Sequence, residues 1–227
     1  FIHKPLATIT KMGLGKQIRT IFLTEDFHYS EIDFELDSFI EFLDLTNQQI
    51  DEKLKKYLKE YNDTPDLAKD LNYDPVEILI KQKNLQLYYS TIIVSIYSFL
   101  EQSLLRLCEI AEKNKRIKID DISGKGIFKF KRYLEMVVEI DFEEINGEWN
   151  EITKLNHLRN VFVHSSNYRL NKSEAKKRIN SIKEIKQLNV IEQNEYYKIE
   201  FKDDESIRFF VKVIRIFLNN IYTSNSS

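Results

Sequence analysis

Apolar positions along this chain recur mainly at the three- and four-residue spacing of a buried helix face. From Ser30 to about Tyr61 the set Ile32, Phe34, Leu36, Phe39, Ile40, Phe42, Leu43, Ile50, Leu54, Tyr57 and Leu58 marks a long amphipathic helix, with a candidate break near Leu45–Asn47. Asp74-Pro75-Val76-Glu77 is a start signal: a capping carboxylate, Pro at the first helical position, and Glu where a capping box places it. It predicts a helix to about Asn114, about 60 Å long at 1.5 Å per residue. Its middle is nearly all apolar, which calls for neighbours on several sides. After a Ser123-Gly124-Lys125-Gly126 turn the spacing predicts a helix over Ile127–Ile140. After an Asn146-Gly147 turn it predicts another over Glu148–His164. The lysine-rich stretch Asn171–Lys186 reads as a short solvent-facing helix. The period then changes. Val190, Glu195–Tyr197, Ile199 and Phe201 around Gln193-Asn194, with β-branched and aromatic residues alternating with polar ones, predict a β-hairpin. Asp203-Asp204-Glu205 supplies negative charge to the amino end of a last helix, Ser206 to about Tyr222.

The fold class expected is mainly all-α: an up-and-down bundle of four to six helices with a small β-hairpin before the last. Composition agrees, since five Gly and three Pro among 227 residues leave too few turn signals for a sheet-rich sandwich or barrel. The expected organisation is an arm over residues 1–29, one helical domain over 30–222 and a disordered tail over 223–227. The longest uncharged stretch, Leu85–Leu100, carries Gln86, Ser90, Thr91, Ser95 and Ser98. It falls short of the about 18 mainly apolar residues of a membrane span and reads as a core helix. No partner membrane is expected.

Charge narrows the function classes. With 34 basic against 36 acidic side chains the net charge is -2, which excludes a protein that coats nucleic acid indiscriminately. A hydrophobic content of 42% excludes an acidic disordered chain. One cysteine, Cys108, excludes an internal disulfide framework and a multi-cysteine metal site, and points to the cytoplasm. Phe1–Lys16 lacks the continuous apolar run of a secretion signal.

The stretch that carries chemistry is Arg159-Asn160-Val161-Phe162-Val163-His164. On a helix Asn160 and His164 share a face at i and i+4, while Arg159 lies about 100° from Asn160 and reaches round with its long side chain. A permanently charged planar donor, an imidazole and an orienting amide can thus converge.

This motif, with its place late in a helical chain and the earlier core helix containing Ser98-Phe99-Leu100-Glu101-Gln102-Ser103-Leu104, resembles the HEPN family (higher eukaryotes and prokaryotes nucleotide-binding domain). The resemblance covers roughly residues 75–222. Its ribonuclease members carry an Arg, a polar residue, a few mainly apolar positions and a His. The resemblance implies a homodimer in which two motifs face each other and cleave cellular RNA without a metal or other cofactor, as a toxin or antiviral effector with a neutralising or regulatory partner. It implies that His164 moves protons at the ribose 2′-hydroxyl or the leaving 5′-oxygen, that Arg159 meets charge on the phosphoryl oxygens, and that Asn160 orients His164 or the phosphate. By the same resemblance Glu101 pairs with Arg159. Some toxin members have a tyrosine two residues beyond the histidine. That position here is Ser166, and the nearest tyrosine is Tyr168.

Plainer readings stand beside these. A histidine near a helix carboxyl end is favourable for dipole reasons alone, and a non-catalytic helical module that binds nucleotide or a protein partner is the alternative function. His157 reads as a surface or packing residue. Cys108 reads as a buried thiol rather than a nucleophile, and Gly13-Leu14-Gly15-Lys16 lacks the spacing of a phosphate loop. Lys113, Lys115, Arg116 and Lys118; Lys125, Lys129, Lys131 and Arg132; and Lys172, Lys176, Lys177 and Arg178 are each most simply a solvated helix face. The second set, Lys125, Lys129, Lys131 and Arg132, is the candidate grip on an RNA backbone.

Overall fold

A computed structural model of the chain describes residues 29–63, 75–165, 168–175 and 178–223. The expected arm before Tyr29, the tail beyond Thr223, the capping Asp74 and the Gly13–Lys16 stretch lie outside them. Helix accounts for 74% of the described residues, and the strands form one small sheet just before the last helix, so the chain is mainly α as its spacing predicts.

Helix α1 runs Tyr29–Asp63 and α2 Pro75–Glu112. After a 3-10 turn at Ile119–Asp121 come α3, Gly126–Tyr133, and a π-turn, Leu134–Val138. Helix α4 is Asn146–His164, strand β1 Arg169–Asn171, and α5 and α6 are Lys172–Ala175 and Arg178–Lys183. Strands β2, Leu188–Glu192, and β3, Tyr196–Phe201, precede α7, Glu205–Thr223.

Several expectations need correction. Helix α1 does not break at Leu45–Asn47. No Gly or Pro occurs there, and Asn47 is bound on both sides of its amide: Nδ2 donates to Asp204 Oδ2 at 2.9 Å and Oδ1 accepts from the Tyr89 hydroxyl at 3.1 Å. The helix expected to reach Ile140 ends in the π-turn, where Glu139 takes a left-handed φ of 67° and Ile140 N–H donates to Leu134 C=O at 3.0 Å. That is a carboxyl-end cap normally signalled by glycine. Asn146 and Gly147 lie in the first turn of α4 rather than in a turn before it. The lysine-rich stretch is two short helices, and it is not simply solvent-facing, because Ala175, Ile179, Ile182 and Ile185 are buried.

The hairpin forms as expected, with β2 antiparallel to β3 from Leu188↔Phe201 to Glu192↔Tyr197. Strand β1 adds to the other side of β3, pairing Arg169↔Lys198 to Asn171↔Tyr196, so the order is β1-β3-β2. Because β1 begins at Arg169, the edge of β3 at Phe201 has no strand beside it among the described residues. Gln86 of α2 fills that place: its Nε2 donates to Phe201 C=O at 2.9 Å and its Oε1 accepts from Phe201 N–H at 2.7 Å. A bare strand edge is thereby blunted.

The chain divides into two compact units whose boundaries all fall inside helices. The first gathers the described parts of Phe1–Asp33, Ser98–Glu151 and Val213–Ser227. Its core is aromatic: Trp149 lies 5.7 Å from Phe142 at 90° and 5.8 Å from Phe217, with Tyr133, Leu104 and Leu107 fully buried. The second unit gathers Phe34–Tyr97 and Ile152–Lys212. Its core is largely aliphatic, with Leu36, Leu43, Ile93, Ile96, Leu155, Leu158, Ile182 and Ile199 fully buried beside Phe210. By length and composition Lys83–Glu112 could cross a membrane, but half of its most apolar window is buried by protein, as in a core helix.

Candidate functional site

Arg159, Asn160 and His164 all stand on the last turns of α4, in the second unit. This helix buries every third residue, Trp149, Ile152, Leu155, Leu158 and Val161. Three residues turn an α-helix through 300°, so the buried line drifts by about 60° at each step and winds round the helix. Arg159 and Asn160 lie off that line, and His164 is its next position after Val161, where the side chain is exposed.

Arg159 is held on two sides. Its Nη1 donates to Asn160 Oδ1 at 3.1 Å, and its guanidinium carbon lies 5.1 Å from the centre of the Tyr97 ring. That is the geometry of a cation over an aromatic face, about 0.5–2 kcal/mol of attraction. Its Nε is buried with no hydrogen-bond partner. Asn160 completes a chain of amides, its Nδ2 reaching Asn156 Oδ1 at 3.4 Å. The Asn160 amide thus accepts from Arg159 through its oxygen and donates to Asn156 through its nitrogen. His164 closes the helix with an exposed side chain, and Ser165 N–H continues the helical bonding to Val161 C=O at 3.0 Å.

Tyr168 follows the motif in a left-handed conformation, φ 58°, which costs an ordinary side chain about 1–2 kcal/mol. Two contacts hold it there. Ser90 Oγ donates to its hydroxyl at 3.3 Å, and its ring meets Phe162 edge-on at 5.4 Å. Ser166 lies outside the described residues.

The other candidates belong to the first unit. Glu101 is half-buried on α2. Three members of the basic quartet are engaged locally: Lys129 with Asp120 at 3.0 Å, Lys131 with Glu135 at 3.1 Å and over the Phe142 and Trp149 rings, and Arg132 with Ser123 C=O and Oγ at 2.9 and 2.8 Å. Lys125 is exposed just before α3. These contacts are the ordinary duties of a solvated helix face, and exposed pairs of this kind contribute little. Cys108 is buried, its thiol pushed well above its ordinary pKa by burial first and by Glu109 and Glu112 next, with Sγ 3.8 Å from Phe130 C=O. It packs as an inert small apolar side chain.

Two contributors escaped sequence reasoning. Tyr97 is buried on α2, and its ring face carries Arg159. The third strand, β1, was too short for alternation to show. Among the described residues no group of three His, Cys, Asp or Glu side chains could hold a metal ion. Compared with known proteins, the chain matches no family model, no curated protein and no solved structure.

Proposed function

We propose that the chain is a metal-independent endoribonuclease of the HEPN type, working as a homodimer on cellular RNA as a toxin or defence effector. The observation that carries this reading is Arg159 fixed between Tyr97 and Asn160 a little over one helical turn before the exposed imidazole of His164. A guanidinium whose direction is set in advance costs no reorganisation when charge builds on a phosphoryl oxygen.

In this mechanism His164 takes the proton of a ribose 2′-hydroxyl as its oxygen attacks the adjacent phosphorus. The bond to the 5′-oxygen breaks, and that oxygen accepts a proton from the imidazolium of a second copy. The products are a 2′,3′-cyclic phosphate and a 5′-hydroxyl. Val163, exposed beside His164, offers apolar surface for the second copy to cover. Purified protein should cleave RNA in excess EDTA, and Arg159→Ala or His164→Ala should each slow cleavage by about 100-fold or more with unchanged circular dichroism. Cleavage that persists in both variants would sink the assignment.

One observation favours the second reading, a helical module that binds without cleaving: Arg159 already has partners of its own within the fold. That reading expects no cleavage of any RNA pool, while Arg159→Ala lowers the melting temperature.

A further inference from the structure

The side chains of the small sheet alternate between two faces. Leu170, Leu188, Ile199 and Phe201 point to one face and are buried. The register puts Arg169, Asn171, Asn189, Ile191, Tyr196, Lys198 and the acidic Glu200 on the other. There Arg169, Asn171, Asn189 and Ile191 are exposed, with Ile191 at 41%, and Tyr196 and Lys198 are half-exposed. The guanidinium carbon of Arg169 lies 4.5 Å from the centre of the Tyr196 ring, and Lys198 pairs with Glu200. The surrounding stretch is charged unlike the rest of the chain. Residues 168–202 contain nine Lys or Arg against five Glu, a net of +4 in a chain whose net charge is -2.

We propose that this open sheet face binds single-stranded RNA, with Tyr196 and Arg169 as the platform on which a base stacks and Lys198 as a contact to phosphate. A flat aromatic under a planar cation offers stacking to any base and charge to the backbone, and side-chain amides at Asn171 and Asn189 can meet base edges. Duplex RNA hides its base faces, so the platform favours single strands. An acidic protein could be drawn by the same charge, but it has no use for the stacked pair. The inference rests on the nuclease reading only for the identity of the polymer. The sheet begins five residues after His164, in the same compact unit.

The test measures binding apart from cleavage. Fluorescence anisotropy with a labelled single-stranded RNA of about ten nucleotides, a length within the usual site size of such platforms, is read on full-length His164→Ala protein. Tyr196→Ala and Arg169→Ala in that background should each weaken binding about tenfold, and Tyr196→Phe, which keeps the ring, should restore it. Melting curves are run alongside so that unfolding is not mistaken for lost binding. Unchanged affinity in folded Tyr196→Ala would overturn the proposal. So would equal affinity for a duplex of the same length, or for polyglutamate. If the parent protein cleaves RNA while Tyr196→Ala binds as before, the platform fails and the nuclease reading stands. If the platform binds and the parent never cleaves, the reverse holds.

Discussion

His157 and His164 share a helix and face opposite circumstances. The Nδ1 of His157 is buried without a hydrogen-bond partner, and burial first, then the charge of Arg178, pushes its pKa below the ordinary 6.5. A proton on that ring is therefore resisted by the folded state and accepted by the unfolded one. Its contribution to stability is complete above about pH 6.5 and declines as the pH falls below it. Urea midpoints should drop between pH 7.5 and 5, and His157→Leu should flatten that part of the profile. An equal drop in both proteins would acquit the residue. At this scale the sequence was partly legible. The spacing from Arg159 to His164 put three polar groups on the last turns of one helix, and the structure keeps them there. Their surroundings were hidden, because Tyr97 reaches Arg159 from a distant helix, and nothing in a list of apolar positions distinguishes a ring whose face is in use. Tyr168 was hidden for a related reason: left-handed backbone is read from Gly, Asn or Asp, and here tertiary contacts hold an aromatic in it.

Helices were more readable than their ends. The period of 3.6 located α1, α2, α4 and α7 because buried residues recur along them, and alternation located β2 and β3. The cap after the π-turn was missed because Glu139 performs a glycine's task there, and the burial of α6 was missed because lysines outnumber its isoleucines in the surrounding stretch. The join between α2 and the sheet belongs to this scale too. Gln86 answers both backbone groups of Phe201, which no alternation pattern foretells. Gln86→Leu leaves a donor and an acceptor with no partner in the half-buried edge, and should cost about 2 kcal/mol in a urea unfolding experiment. A loss below a few tenths would mean that water replaces the amide. The neighbouring network has the same character: Arg208 bonds Asp204 through Nε at 3.0 Å and also Asp44, and its pKa is raised, chiefly by the bond to Asp44. Beside it the Tyr89 hydroxyl is pushed up to about 12, by burial above all and then by Asp204.

For the whole molecule, near-neutrality concealed an uneven distribution. A net of -2 still argues against indiscriminate binding, but it averages a basic stretch around the sheet with an acidic remainder. Binding through a few phosphates should be only moderately sensitive to salt. Between 50 and 200 mM salt the affinity for single-stranded RNA should fall about tenfold, corresponding to two or three contacts on single strands. A fall of a thousandfold would demand a much wider basic surface than this sheet provides. The division into two units was not legible, since linkers are recognised by Pro, Gly and polar runs, and each boundary here lies within a helix.

Those interleaved boundaries govern the order of events during synthesis. Each unit is built from segments far apart in the chain, and α7 contributes to both: Ile207, Phe210 and Val211 to one core, and Ile214, Phe217 and Leu218 to the other. A ribosome working at about 5–20 residues per second therefore spends roughly the last one to four seconds before Thr223 making the helix that both units await. Until then each core lacks the side chains that α7 contributes to it, the one around Arg159 and His164 included.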